Sequence, residues 1–497
     1  MNALGAITTL LLVATILVGP KRWALLAMVA GVLYLTQAQG VTVAGFNLYA
    51  FRLLEIAGFV RILFRREHLP TPRNALDVLL VVLYAYTVAI YLARSNEGYA
   101  YQIGAAVDAF LCYFVFRTLA TGIEDHKWLL RGTVLLLIPY VSLVVVETIT
   151  FQNPFARIGG VELVRAGDLW VREGRLRATG TFGHPSLLGT FGGTFVPLYV
   201  SLLCCGHSRK LGLVGASLCL AIVWAANSGG PWACVAAGAL GWALWPMRRS
   251  MAVVRTGSVV AVVGLALVMN APIWYIFGRI SAITGGDGFH RSALLDAAFR
   301  NLDRWWLNGM PMIDTAQWLP YTNTHTGAVD MTNHFLVFAI TAGLGALLLL
   351  LALLTQGFRS LGKALAAVRS GEVSGEKEYI LWGLGVTISV HLFNWFGISY
   401  WDQTNAIWFL HLALVSSLSG QLAGAPDGPM GARRAPPPDP KVRLAKATRE
   451  ATEGQRVTMV AGSHLDAWRA DRSRRECAAT APCGGRVGGS VFREVAY

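Results

Sequence analysis

Residues 334–355 read HFLVFAITAGLGALLLLLALLT, with no charged side chain among them. Wound as a helix rising about 1.5 Å per residue, such a run reaches roughly 33 Å, enough for the ~30 Å hydrocarbon core of a bilayer. Working outward, similar apolar runs recur, and helices are expected at about 4–19, 23–39, 43–63, 75–93, 101–120, 131–150, 184–205, 210–227, 231–246, 253–276, 334–355, 379–398 and 405–420. A barrel would instead alternate over segments of roughly ten residues, and none stands out. Open backbone finds no partner in lipid, so helices are the remaining solution. Composition agrees: 54% of the 497 residues are hydrophobic, only 14% are charged and mean hydropathy is +0.50, too little charge to cover a soluble surface. The expected class is all-α, a polytopic integral membrane helical bundle of about 12–13 transmembrane helices with a large outer, periplasmic loop.

The net charge of +14 does not indicate nucleic acid, because no RNA- or DNA-binding module accompanies it. Basic residues gather in the short connections between apolar runs, which is how membrane chains set orientation. Lys21 and Arg22, then Arg61 to Arg73, Arg117 to Arg131, Arg209 and Lys210, Arg248 to Arg255, and Arg359 to Lys377 fall on one side if the helices alternate. That side is expected to be cytoplasmic, with the N-terminus outside and the C-terminus inside. The location implied is the cell inner membrane, multi-pass.

Two regions follow: a transmembrane region over 1–420, with long outer loops at 151–183 and 277–333, and a tail over 421–497. The tail is rich in Pro, Gly, Ala and Arg without apolar periodicity, and reads as a disordered, basic cytoplasmic segment. The first apolar run, Leu4 to Val18, lacks a basic leader and a clear cleavage site, so it reads as a retained helix. Cys112, Cys204, Cys205, Cys219 and Cys234 lie in apolar segments and Cys477 and Cys483 in the tail, so no disulfide framework is indicated.

The first outer loop carries Arg157, Arg165, Arg172, Arg175 and Arg177 and no lysine, against Glu162, Asp168 and Glu173. A planar guanidinium fork suits phosphate or carboxylate, so an anion site is indicated; local ion pairing is the rival. The loop runs into Gly180, Gly183, His184 and Pro185, a tight turn opening a helix whose N-terminus would also favour an anion. His184 reads first as a structural hydrogen-bonding residue. The second loop carries Arg279, Arg291, Arg300 and Arg304 with His290, His325 and His334. Within it Leu294, Leu295, Ala298, Phe299, Leu302, Trp305 and Trp306 fit one helical face, an amphipathic helix along the membrane surface. Trp170, Trp318 and Tyr321 are candidates to stack on sugar rings or to form an aromatic belt. No metal-ligand spacing and no nucleotide-binding glycine pattern is found, so neither metal nor cofactor is expected. Arg52, Glu55, Asp108 and Glu147 lie inside apolar segments, which keeps a transporter or flippase of an anionic or lipid-linked substrate in view.

Four stretches together resemble the O-antigen ligase/polymerase superfamily, the Wzy-like membrane enzymes of surface-polysaccharide assembly. They are Arg177 to Gly189, Asn227 to Pro231, Arg291 with Asp296 and Trp305 to Gly309, and Thr332 to Leu336 leading to Gly343 and Gly345. Ser186 stands where the ligase-like pattern often has Asn, no arginine follows Ser228, and Asn333-His334 reverses the family's order. The resemblance implies glycosyl transfer from a polyprenyl-pyrophosphate-linked oligosaccharide to a glycan acceptor, at the outer face and without a metal. It implies Arg177 and Arg291 on the pyrophosphate and His334 at the acceptor hydroxyl, with Arg172, Arg175, His184 and His325 as further substrate contacts. Membrane lipid and other polysaccharide export or assembly proteins are the implied partners, and the missing arginine favours polymerase over ligase.

Overall fold

The computed structural model describes residues 1–36, 38–43, 46–94, 98–159, 171–279, 288–320, 327–371, 375–401 and 403–424. The chain divides into Met1–Ala425 and Pro426–Tyr497. Only the first unit falls within the described residues, so the expectations for the tail, and for Arg165, Trp170, Tyr321 and His325, lie outside them.

The first unit is a helical bundle. Its helices are α1 (Ala3–Val18), α2 (Lys21–Tyr34), α3 (Ala50–Arg65), α4 (Ala75–Ala93), α5 (Tyr99–Leu119), α6 (Ile123–Thr150), α7 (Pro154–Gly159), α8 (Pro185–Leu203), α9 (Arg209–Ala226), α10 (Gly229–Ala243), α11 (Met251–Val268), α12 (Gly288–Arg300), α13 (Leu302–Trp305), α14 (His334–Ser370), α15 (Gly375–Trp395) and α16 (Gln403–Gly424). Between α2 and α3, strands β1 (Gly40–Val43) and β2 (Phe46–Tyr49) form an antiparallel hairpin with Gly40 opposite Tyr49. Expected helices at 23–39 and 43–63 are shortened accordingly, because the β-branched run Val41-Thr42-Val43 between Gly40 and Gly45 suits a strand.

Among the described residues, seven helical stretches are long and apolar enough to cross a membrane: α4, α5, α6, α8, Gly206–Ala226, α11 and α14. Every other expected span is also helical but misses that standard. Helices α1, α2, α3 and α10 have 16, 14, 16 and 15 residues. Helices α15 and α16 are long enough, but Glu376, Lys377, Glu378 and Asn394 in one and Gln403 and His411 in the other dilute their hydropathy. Helix α8 is buried almost throughout and α2 is buried from Ala24 to Leu33. Helix α11 is the opposite case, with no buried residue and an apolar run from Val259 to Val268 that follows Arg255, Thr256 and Ser258.

Two arginines counted above with the loop charges are instead fully buried within helices. Arg117 in α5 ion-pairs with Asp77 of α4 and donates to Thr71 Oγ1 and the Pro72 carbonyl, each at 3.0 Å. Tyr113 donates to the same carboxylate at 2.7 Å. Arg61 donates to the carbonyls of Ile16 and Gly19 at 2.6 and 2.7 Å and pairs with Glu67. A buried charge persists only where paired and hydrogen-bonded, and both sites meet that condition.

Helix α14 is broken near its N-terminal end. Ala342 has φ −140° and Gly343 has φ 79° with ψ 177°. The segment after α13 fills the break: Met310 N–H donates to the Ile340 carbonyl at 2.6 Å, and Leu344 N–H donates to the Trp306 carbonyl at 2.8 Å. A Cβ on Gly343 would stand 2.2 Å from the Leu307 carbonyl oxygen, and one on Gly309 (φ 64°) would stand 2.5 Å from the Thr341 carbonyl carbon. Both positions require glycine. Backbone groups released by the kink are thus satisfied by another segment rather than left buried and unpaired. Two stretches that carried the family resemblance, Trp305 to Gly309 and Gly343 to Gly345, meet here.

Candidate functional site

The first arginine loop is held by a carboxylate from inside the bundle. Glu147 in α6 accepts from Thr179 N at 2.8 Å, Gly180 N at 2.9 Å and Thr179 Oγ1 at 3.2 Å. Asn153 donates to the Gly180 carbonyl at 2.8 Å. Gly180 packs so closely that a Cβ would meet the Tyr140 hydroxyl at 2.4 Å. Glu147 therefore anchors a loop, which is a sufficient structural reason for its place in an apolar helix.

Before that turn, β3 (Val171–Arg172) and β4 (Arg175–Leu176) pair through a two-residue turn in which Glu173 (φ 53°) and Gly174 (φ 74°) are both left-handed. Asn227 donates to the Arg172 carbonyl at 3.1 Å. Arg175 lies over the Trp224 ring at 4.2 Å and donates to the Trp224 carbonyl at 3.1 Å, so it packs the hairpin onto the end of α9.

Arg177 reaches inward. Its Nη2 stands 3.4 Å from Ser186 Oγ and 3.3 Å from Ser228 Oγ, and the two hydroxyls are 2.8 Å apart. Ser186, a departure from the ligase-like pattern, is thus part of the arrangement. Burial, and then the charge of Arg172, pull the Arg177 guanidinium down to about 10, still a cation at neutral pH.

His184 caps α8, its Nδ1 accepting from Ser186 N at 3.1 Å, with Pro185 at the first helical position. That bond uses the Nδ1 lone pair, so the neutral ring carries its proton on Nε2. Burial, helped by the charge of Arg177, lowers its pKa to about 4 and keeps it neutral.

In the second loop, Arg291 sits on the first turn of α12 and donates through Nε to the Gly397 carbonyl at 3.1 Å. Gly397 lies in the turn between α15 and α16, where its N–H donates to the Asn394 carbonyl at 2.8 Å. Asn394 Nδ2 donates to Thr190 Oγ1 at 2.9 Å and lies 3.3 Å from the Tyr400 hydroxyl. Thr190 Oγ1 donates to the Ser186 carbonyl at 2.8 Å. The two arginines are therefore joined by a continuous path, Arg177–Ser186–Thr190–Asn394–Gly397–Arg291.

His334 begins α14. It is buried among Phe338, Trp395 and Tyr400, and its Nδ1 accepts from Tyr400 N at 3.1 Å. As at His184, this leaves Nε2 as the protonated nitrogen of the neutral ring, a donor rather than a base. The Tyr400 hydroxyl meets His391 Nδ1 at 2.8 Å, and His391 Nε2 meets His411 Nδ1 at 2.8 Å.

The expected surface helix is not formed as one piece. Helix α12 ends at Arg300 and α13 restarts at Leu302. Leu294, Ala298 and Trp305 are buried with Met310, Val329 and Ile340, whereas Phe299, Leu302 and Trp306 are exposed. Asn301, whose side chain donates to the Ala297 carbonyl at 2.8 Å, marks the interruption. Asp296 accepts from Trp274 Nε1 and the Tyr275 hydroxyl at 3.0 Å each and pairs with Arg300 at 2.9 Å. Desolvation is the largest single influence and opposes its charge, but the hydrogen bonds from Trp274 and Tyr275 and the Arg300 charge together outweigh it and hold the carboxyl below its ordinary range. Arg52 of α3 pairs with Asp108 of α5 by two 2.6 Å bonds.

Sequence reading missed Asn394, Thr190 and Tyr400, which join the two arginine loops. Their signal was polar side chains within apolar runs. Among the described residues, no group of His, Cys, Asp and Glu is arranged to hold a metal. One cavity of ≈410 Å³ is lined by residues including Arg22, Asp125, Lys127 and Glu376, and another of ≈390 Å³ by residues including Tyr275, Asp296, Arg304 and Trp318; Arg177 and Arg291 line neither. No known family model matches the chain, and no curated protein matches it. The family resemblance rests on the short motifs alone.

Proposed function

We propose that this chain is a membrane glycosyltransferase of surface-polysaccharide assembly. It moves a glycan from a polyprenyl-pyrophosphate-linked oligosaccharide to a glycan acceptor at the outer face, as a polymerase rather than a ligase. The observation that carries this reading is the path joining Arg177 and Arg291, which come from loops more than a hundred residues apart and are coupled through Asn394. In the transfer, the acceptor oxygen bonds to the anomeric carbon, the bond to the pyrophosphate oxygen breaks, and the hydroxyl proton leaves to water or phosphate. Negative charge grows on the leaving pyrophosphate, and fixed guanidinium groups stabilise it where it develops. His184 and His334, each with Nδ1 engaged by a backbone N–H, supply Nε2–H donors to orient phosphate or acceptor oxygens.

The membrane setting draws support from α11, whose exposed apolar run from Val259 to Val268 suits lipid. On this reading the shorter helices complete 12–13 crossings in the inner membrane, with the C-terminus cytoplasmic, and export or assembly proteins act alongside.

A transporter or flippase is the rival reading. Its strongest residue is Glu55, fully buried with Oε2 lacking a hydrogen-bond partner among the described residues. Purified protein in liposomes without any gradient separates the two. The enzyme consumes lipid-linked oligosaccharide and lengthens or transfers the glycan there. Movement of the intact lipid-linked substrate without a new glycosidic bond would replace the enzyme reading with the transporter.

A further inference from the structure

The ≈390 Å³ cavity beside α12 and α13 is separate from the arginine path. It is lined by Tyr275, Asp296, Arg300, Asn301, Arg304, Gln317 and Trp318, with Ala293, Ala297 and Leu319. Its size falls within the roughly 300–1,000 Å³ usual for small-molecule sites. We propose that it is a saccharide-binding site selective for an acidic sugar, such as a uronic acid within a longer glycan.

Three features of the lining specify that ligand. First, Tyr275 and Trp318 offer aromatic surface on which the C–H face of a sugar ring packs. Second, the polar groups are planar and of mixed type: a carboxylate, two guanidinium groups and two side-chain amides. A ring bearing adjacent hydroxyls, each both donor and acceptor, satisfies such a set. Asp296 has about four acceptor positions, of which Trp274, Tyr275 and Arg300 take three. The remaining one is open to an O–H donor, which a sugar hydroxyl supplies. Third, the charges do not cancel. Arg300 pairs with Asp296, whereas Arg304 forms no ion pair among the described residues. One cation is left over in a cavity that otherwise asks for hydroxyls, and a sugar carboxylate answers both demands.

The site deepens the glycosyl-transfer reading by naming a sugar class, and it rests on that reading for the face of the membrane on which it opens. Binding is measured apart from turnover. Full-length protein in detergent is titrated by calorimetry with a panel of uronic-acid tetrasaccharides (galacturonate, mannuronate, glucuronate and hyaluronan), with neutral maltotetraose and with inorganic phosphate. At least one uronate is expected to saturate the protein and maltotetraose to bind far more weakly. Arg304→Gln, at an exposed side chain, should weaken the uronate by roughly 10- to 100-fold, the usual worth of a charge-assisted hydrogen bond. Trp318→Leu should weaken both sugar classes, with its melting temperature compared to separate misfolding from lost contact. Equal binding of maltotetraose, binding of phosphate alone, no saturable uronate binding, or indifference to Arg304→Gln would each overturn the proposal. Turnover of lipid-linked oligosaccharide in a protein that binds no uronate removes this site and leaves the enzyme reading intact. Uronate binding without turnover does the reverse.

Discussion

Leu344 donates its backbone N–H to the Trp306 carbonyl at 2.8 Å, across a break in helix α14 where Trp306 and Leu307, just after α13, are wedged against Gly343. A helix and a loop thus share one set of backbone hydrogen bonds, and the loop that carries Arg291 is registered against the bundle by main-chain contacts.

Gly343→Ala and Gly309→Ala should therefore be among the most damaging small changes in the chain. Each combines a left-handed backbone with a Cβ contact of 2.2 or 2.5 Å to backbone atoms, which cannot turn aside. A loss of roughly 2–4 kcal/mol is expected, or failure to accumulate. Gly362→Ala in the same helix, where a Cβ meets nothing within 4 Å, should be neutral or stabilise by about 0.5–1 kcal/mol. Thermal unfolding in detergent compares all three. Equal melting temperatures for Gly343→Ala and Gly362→Ala would remove the wedge as a determinant of stability.

Arg177→Ala and Arg291→Ala should each lower glycosyl transfer by about 10²–10³-fold while the protein still inserts and folds. Lysine should not rescue Arg291, because its Nε–H bond to Gly397 and its planar fork have no ammonium equivalent. Chain-length ladders from cells carrying each variant provide the readout, and normal ladders from Arg291→Ala would remove it from catalysis.

The pH dependence of stability should show His184. Its pKa is lowered from 6.5 to about 4 in the folded chain, chiefly by burial. The neutral form is favoured by folding, so the contribution is complete above about 6.5 and is lost as pH falls through about 4. At most about 3 kcal/mol is involved. His184→Asn keeps a side-chain cap for α8 without a group titrating in that window, so its melting temperature should fall less between pH 6.5 and 4. Parallel acid profiles for the two proteins would exclude this histidine as their cause.

Asp77→Asn leaves the Arg117 cation buried without its counter-charge and should cost about 3–5 kcal/mol. Replacing both partners, Asp77→Leu with Arg117→Met, should recover most of that loss, since a well-packed apolar pair is often as stable as a buried ion pair. Expression level and melting temperature report both. A double variant no better than the single one would show that the Thr71 and Pro72 contacts of Arg117, and not its charge balance, dominate.

The bundle was legible in the sequence because each uncharged run is long and its ends carry charge. Legibility failed where one side chain decides the outcome. Arg61 and Arg117 count as basic residues near helix ends, and nothing local distinguishes a buried partner of Asp77 from a loop cation. The α14 break was equally hidden, since Ala342-Gly343-Leu344 sits inside the apolar run and its partner segment is more than thirty residues away. The amphipathic pattern over 294–306 was real as a pattern, but the interruption at Asn301 divides it between two short helices. At the candidate site, the sequence singled out Arg177, Ser186, Ser228, Arg291 and His334. It could not reveal that Asn394 ties the two loops together, because a lone amide in a hydrophobic run has no periodic signature.

The wedge at Gly343 has an evolutionary corollary. Each of the two glycines abuts the main chain of the other's segment, so neither can acquire a side chain that a neighbour accommodates by shrinking. No gradual exchange is open: the pair is inherited whole or replaced by a different local architecture. Homologous chains should accordingly present glycine at both positions or at neither, and one that keeps a single member should have lost the helix break itself.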